Sequence, residues 1–171
     1  HWLKKNTKKI FNKSPKELSY AIRKSCEIKM FFVNKDVHEK GLRMLLNFGH
    51  TFAHAIEAKN SFSKNISHGE AVLAGMILET RLSLIKKICK RNCLQEIVNI
   101  YNQNNLSYTF KSISKQKFIV SLIPYLKNDK KNNDDKINFV LLKRIGQASK
   151  PNKYKMSENE LKKYSPLISR Y

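Results

Sequence analysis

The sequence predicts a mainly α-helical fold with one small β element. Apolar residues recur at helical period through most of the chain. A helix-start signal stands at Ser14-Pro15-Lys16-Glu17. One run, Ile137 to Leu142 (INFVLL), closed by Gly146, reads as a strand. The 171 residues make one domain or a piece of one.

His1 to Asn12 reads as the tail of a helix broken by Lys-rich turns, with Trp2, Leu3, Ile10 and Phe11 as its apolar side. Next, Ser14 is the expected N-cap, Pro15 the first helical residue and Glu17 the third, completing a capping box. Leu18, Ile22, Ser25, Lys29 and Val33 share one stripe, which puts Lys29 on the buried side of that helix. A lysine there needs an anion to meet it, unless its ammonium snorkels to solvent from the helix end. Asn34 to Lys40 is a polar loop carrying Asp36 and Glu39, and Asn60 to Ser67 is another. After His68, Gly69, Ala71, Ala74 and Gly75 mix with Val72, Leu73, Met76, Ile77 and Leu78, the composition of a helix buried almost all round. Arg81 to Phe110 reads as one or two amphipathic helices, Ser114 to Leu126 as another, and Lys155 to Ser165 as a short terminal one.

The chain is organised around Arg43 to Glu57, RMLLNFGHTFAHAIE. Read as one helix, it places Arg43, Asn47, His50, His54 and Glu57 on one face, at alternating steps of four and three. Leu42, Leu45, Leu46, Phe48, Phe52 and Ile56 cover the rest, so the helix should be buried and its polar stripe must meet a ligand. His50 and His54 stand at i and i+4, and His68 follows in HGEAV. Three such histidines are credible nitrogen ligands for Zn²⁺ or another divalent metal. By spacing alone, two hydrogen-bonded core histidines and a helix-start histidine fit equally well. Glu57 and Glu70 are the acids near enough to join such a site; Glu70 also suits a partner to a histidine or a cap in the first turn.

Thirty-four Lys+Arg against thirteen Asp+Glu leave a formal net charge of +21. Such a balance suits nucleic acid or another anionic partner. Yet the excess is spread along the chain and is mostly Lys among many Asn and Ile, a pattern that AT-rich coding explains without any function. The same field would draw in a phosphorylated, carboxylated substrate. Cys26, Cys89 and Cys93 form no C-x-x-C pair, and an odd count without a leader predicts reduced thiols in a cytoplasmic protein. No apolar run reaches the length of a membrane span.

LNFGHTFAHAIE followed by HGEAVLAGM resembles the central signature of the 3-dehydroquinate synthases, and SCEIKMFFVNKDVHEKGLR and NDKKNNDDKINFVLLKRIG resemble the flanking segments of that family. The resemblance implies the C-terminal helical half of a two-domain enzyme, with residues 1–171 as one metal- and substrate-binding domain and the nucleotide-binding α/β half absent. It implies conversion of 3-deoxy-D-arabino-heptulosonate 7-phosphate to 3-dehydroquinate and phosphate in the shikimate pathway. A catalytic NAD⁺ and a divalent metal, Zn²⁺ or Co²⁺, take part, and the intact enzyme is expected to be a homodimer. By motif, His50 and His68 match metal ligands. Lys29, Arg43, Asn47 and His54 match substrate contacts, with Lys29, Arg43 and His54 serving catalysis. Lys130, or Lys131 beside it, matches a late phosphate-binding lysine. The third metal ligand, a glutamate, and the NAD⁺ site would precede His1, which demotes Glu57 and Glu70 as ligands and predicts a chain inactive by itself. Two departures stand out: Val37 where a second acid is usual after Asp36, and Ala53 where glycine is usual.

The nearest rivals share the fold: another sugar-phosphate cyclase, or a metal-dependent alcohol or glycerol dehydrogenase. A small neutral alcohol has no need of Lys29, Arg43, Asn47 and Lys130. A basic nucleic-acid-binding protein is the rival from another class.

Overall fold

The computed structural model describes residues 2–61, 65–106, 115–127 and 136–170. Helices α1 (Trp2–Phe11) and α2 (Pro15–Lys35) lead through a turn into a 3₁₀ segment, Leu42–Asn47, and then α3 (His50–Lys59). Helices α4 (His68–Ile85), α5 (Arg91–Gln103) and α6 (Gln116–Lys127) follow. Strands β1 (Lys136–Phe139), β2 (Leu142–Arg144), β3 (Gln147–Ala148) and β4 (Tyr154–Ser157) come before α7 (Glu158–Arg170). No helix among the described residues is long and apolar enough to cross a membrane.

Helix α4 is the centre. It packs on α3, α5, α7 and β2, while α3 also meets α6, and α6 meets α7. Its burial on nearly all sides follows from its sequence: Ala71, Ala74, Gly75, Ile77, Leu78 and Leu82 are all buried. Phe52 and Ile56 of α3, Leu122 and Leu126 of α6, and Leu161 and Ile168 of α7 close the main core around it. Each fully buried Leu, Ile or Phe contributes about 1.5–3 kcal/mol relative to an exposed one. Ile77 turns to a second cluster with Leu94, Ile97, Tyr101 and Leu142.

The strand-like run 137–142 is β, but it breaks in two. β1 pairs antiparallel with β4, and β2 with β3. At the break, Leu141 N–H donates to Ser149 Oγ at 3.2 Å and Leu142 N–H to Ser83 Oγ of α4 at 3.0 Å. Side chains thus satisfy the buried donors that a longer ladder would have paired.

Three local expectations need correction. α1 is one continuous helix, not a tail broken by turns. No capping box forms at α2: the Ser14 hydroxyl bonds the Glu17 carboxylate instead of a backbone N–H. Capping boxes of that kind form at Ser67–Glu70 on α4 and Ser157–Glu160 on α7. Finally, the stripe through Lys29 is not buried. α2 contains no buried residue, Ile22 is 57% exposed, and Lys29 is exposed. Among the described residues the helix packs mainly on α1 and the 3₁₀ segment, which leaves most of its apolar period uncovered.

Candidate active site

The stretch expected to be one helix from Arg43 to Glu57 is two. Gly49 breaks it, with φ of +86°, in the left-handed region open to glycine. The tertiary contacts require glycine as well. A Cβ on Gly49 would lie 2.7 Å from Met76 Cγ, and one on Gly75 would lie 1.9 Å from the Gly49 carbonyl oxygen. Backbones of α3 and α4 therefore touch at this point. The Gly49 N–H donates to Glu79 Oε2 at 2.8 Å. Glu79 is fully buried. Burial pushes its carboxyl well above the usual carboxylate range, against the opposing pull of the Gly49 and Thr51 N–H groups. It acts as a cap reached from another helix, satisfying donors at the start of α3. The sequence reading missed Glu79, since an acid inside an apolar helix carries no partner label.

The break decides what faces what. Asn47 and Arg43 project from the 3₁₀ segment and His50 from the first position of α3. All three line one cleft of about 470 Å³ with Ser25, Ile28 and Lys29 of α2, Glu39 and Leu46. Lys29 thus belongs to the site although it is exposed. The turn before Arg43 is built by Asp36, whose carboxylate accepts from the N–H groups of Lys40, Gly41 and Arg43 at 3.0, 2.7 and 3.1 Å. Desolvation works against its ionisation, but those three donors prevail and hold its carboxyl below the usual range.

Glu39 is the second residue missed. Its Oε1 accepts from Asn47 Nδ2 at 2.7 Å and its Oε2 lies 3.8 Å from Arg43 Nε. Arg43 Nη1 also donates to the Val37 carbonyl at 2.9 Å. The two residues expected to meet a substrate anion therefore meet a carboxylate supplied by the chain. Glu39 itself sits at φ +53°, in the left-handed region that is uncommon for a residue with a side chain. Its signal in the sequence was its place four residues before Arg43, inside what read as a solvated loop.

The three histidines come together. Ring centroids are 5.7 Å apart for His50–His54, 5.4 Å for His50–His68 and 6.4 Å for His54–His68. His50 Nδ1 lies 3.4 Å from the Phe48 carbonyl and His68 Nδ1 3.0 Å from Glu57 Oε1. Both partners accept when the ring donates from Nδ1, and a neutral imidazole in that tautomer is the form that ligates a divalent metal through Nε2. Among the described residues no three His, Cys, Asp or Glu donors converge to hold an ion. His50 and His68, with ring centroids 5.4 Å apart, are two nitrogen donors whose chemistry suits a divalent metal. Glu70 is spent on the Ser67 N–H and hydroxyl at 2.9 and 2.8 Å, which makes it a cap. Lys130 and Lys131 lie outside the described residues. All three cysteines are free thiols.

Comparison with known proteins places the chain in a family. The family model described as "3-dehydroquinate synthase C-terminal" matches residues 1–132. The 3-dehydroquinate synthase of Pelagibacter ubique is 41% identical over 160 residues, 94% of this chain and 42% of the relative. That of Dictyoglomus thermophilum is 42% identical over 148 residues, 86% of this chain and 40% of the relative. The chain thus spans about two fifths of the length of these relatives. Among solved structures, 2-deoxy-scyllo-inosose synthase complexed with carbaglucose-6-phosphate, NAD⁺ and Co²⁺ aligns with a TM-score of 0.73 at 24% identity, covering 90% of this chain and 42% of that one. ValA, the 2-epi-5-epi-valiolone synthase of Streptomyces hygroscopicus subsp. jinggangensis, with NAD⁺ and Zn²⁺ bound, aligns at 0.75 and 18% identity, covering 98% and 45%. At these identities the structures speak for the fold alone. With the family model matching 132 of its 171 residues, this chain belongs to the 3-dehydroquinate synthase family, in its C-terminal part.

Proposed function

We propose that this chain is the metal- and substrate-binding part of a 3-dehydroquinate synthase, a lyase that converts 3-deoxy-D-arabino-heptulosonate 7-phosphate to 3-dehydroquinate and phosphate. The observation that carries the reading is the cleft itself, where Lys29, Arg43 and Asn47 share a wall with His50. A ligand bearing anionic groups is what such a wall accommodates. When bound, a divalent metal such as Zn²⁺ or Co²⁺ supplies Lewis-acid polarisation and NAD⁺ supplies a hydride acceptor. His50 and His68 would hold the metal through Nε2. The NAD⁺ site and the remaining metal donor come from residues outside this chain, in keeping with the two-fifths coverage of its relatives.

The other roles follow from position. Arg43 presents a planar fork suited to carboxylate or phosphate, and Lys29 adds a point charge from the opposite helix. Glu39 keeps Arg43 and Asn47 oriented, and its carboxylate is placed to exchange them for a substrate anion or to accept a proton from a bound hydroxyl. His54, one turn beyond His50, is set to hydrogen-bond the leaving phosphate. The surplus of 34 Lys+Arg over 13 Asp+Glu favours capture of an anionic substrate.

A different sugar-phosphate cyclase is the second reading, since 2-deoxy-scyllo-inosose synthase shares this fold; the 41% identity to a 3-dehydroquinate synthase favours the first. The intact protein, with the residues its relatives carry before this region, decides between them. Phosphate release and 3-dehydroquinate formation from the heptulosonate phosphate, with none from a heptulose phosphate lacking the carboxylate, is the expected result. The reverse preference would defeat the proposal.

A further inference from the structure

We infer that Glu57 is a positioning residue for His68, fixing the ring tautomer and direction in which His68 meets a metal; this rests on the reading of His68 as a ligand. His68 needs such a partner. It is the first residue of α4, its side chain is 56% exposed, and it follows a loop rather than a packed element. Left alone, its ring would turn freely and share its proton between the two nitrogens. Glu57 removes that freedom. It stands in the last turn of α3, its side chain is only 16% exposed, and its Oε1 lies 3.0 Å from His68 Nδ1.

Glu57 Oε1 is engaged by the imidazole, which assigns Glu57 to the ligand's support. Glu70, two residues from His68, cannot substitute, because its carboxylate closes the N-terminus of α4. The contact ties the end of α3 to the start of α4, eleven residues apart in sequence. It therefore sets the His50–His68 spacing from the opposite end to the Gly49–Gly75 contact.

The test uses the complete enzyme with Glu57→Ala, Glu57→Gln and His68→Ala. Zinc affinity is measured by chelator competition, and the His68 tautomer by ¹⁵N chemical shifts of the zinc-free protein. Glu57→Ala should weaken zinc by about 10–100-fold and release His68 from the Nδ1–H form. Glu57→Gln keeps an acceptor oxygen and should restore most of both. The substrate KM at saturating zinc should stay at the wild-type value. Wild-type zinc affinity and tautomer in Glu57→Ala, alongside zinc loss in His68→Ala, would overturn the positioning role while sparing the ligand. If His68→Ala keeps its zinc, the ligand reading has failed and this inference with it; the tautomer measurement distinguishes that failure from the first.

Discussion

Replacing Gly75 by alanine tests the geometry on which the whole site depends. An ideal Cβ at Gly75 would sit 1.9 Å from the Gly49 carbonyl oxygen, 2.9 Å from its carbonyl carbon and 3.2 Å from Ala53 N. Every one of these neighbours is backbone, so no side chain can swing aside. Ordinary Cβ contacts begin near 3.4 Å, which requires α3 and α4 to part locally by about 1.5 Å, and overpacking of this kind costs about 1–3 kcal/mol. The upper end applies here because the whole α3–α4 crossing must move. The consequence for function is larger than that for stability. His50 directly follows Gly49 and His68 rides on α4, while metal–ligand distances tolerate only about ±0.2 Å. In the complete enzyme, Gly75→Ala should lower the urea midpoint and lose zinc even under conditions where the protein remains folded. Gly69→Ala is the control: its Cβ would meet nothing within 4 Å, and alanine in a helix is favoured over glycine by about 0.5–1 kcal/mol. Gly75→Ala with wild-type stability and stoichiometric zinc would refute the close-contact argument.

Further expectations concern the charged and ligating groups. Glu79 has its folded-state pKa raised above the ordinary value of 4.5 by burial. Its ionisation therefore opposes folding, and its contribution to stability declines as pH rises from about 4.5 toward the folded-state pKa, by ~1.4 kcal/mol for each pH unit between the two values. Urea midpoints compared across that range should show a flatter pH dependence for Glu79→Gln than for wild type, and identical slopes would show that Glu79 is not the group responsible. His50→Ala should lose metal and turnover together, whereas His54→Ala should keep its zinc and lose mainly turnover. Equal zinc loss in both, by elemental analysis, would make the pair a joint clamp. Arg43→Ala should reduce kcat/KM by the equivalent of about 2–4 kcal/mol with the fold retained. Steady-state kinetics at the wild-type value would reduce Arg43 to a turn-building role through Val37 and Glu39.

The helical class, a buried helix from His68 through Leu78 and the local strand near 137–142 were all legible in the order of residues, although α4 runs on to Ile85, past the break expected at Arg81. Each depends on short-range periodicity and composition, which survive in one dimension. The residue types that gather at the site were legible too, because His50, His54 and His68 lie on neighbouring segments within one readable motif. The shape of that motif, by contrast, is a tertiary property. Helical period extended one cylinder from Arg43 to Glu57, but Gly49 breaks it under the approach of Gly75 and the reach of Glu79, residues 26 and 30 positions away in the chain. The same holds for Glu39, whose role appears only once the turn built by Asp36 brings it to Arg43 and Asn47. Lys29 makes the converse point. Its period promised burial, yet α2 has no buried residue among those described, and Lys29 lines the cleft as an exposed side chain. Burial and pairing depend on partners distant in sequence, and a single chain read in order does not state who those partners are.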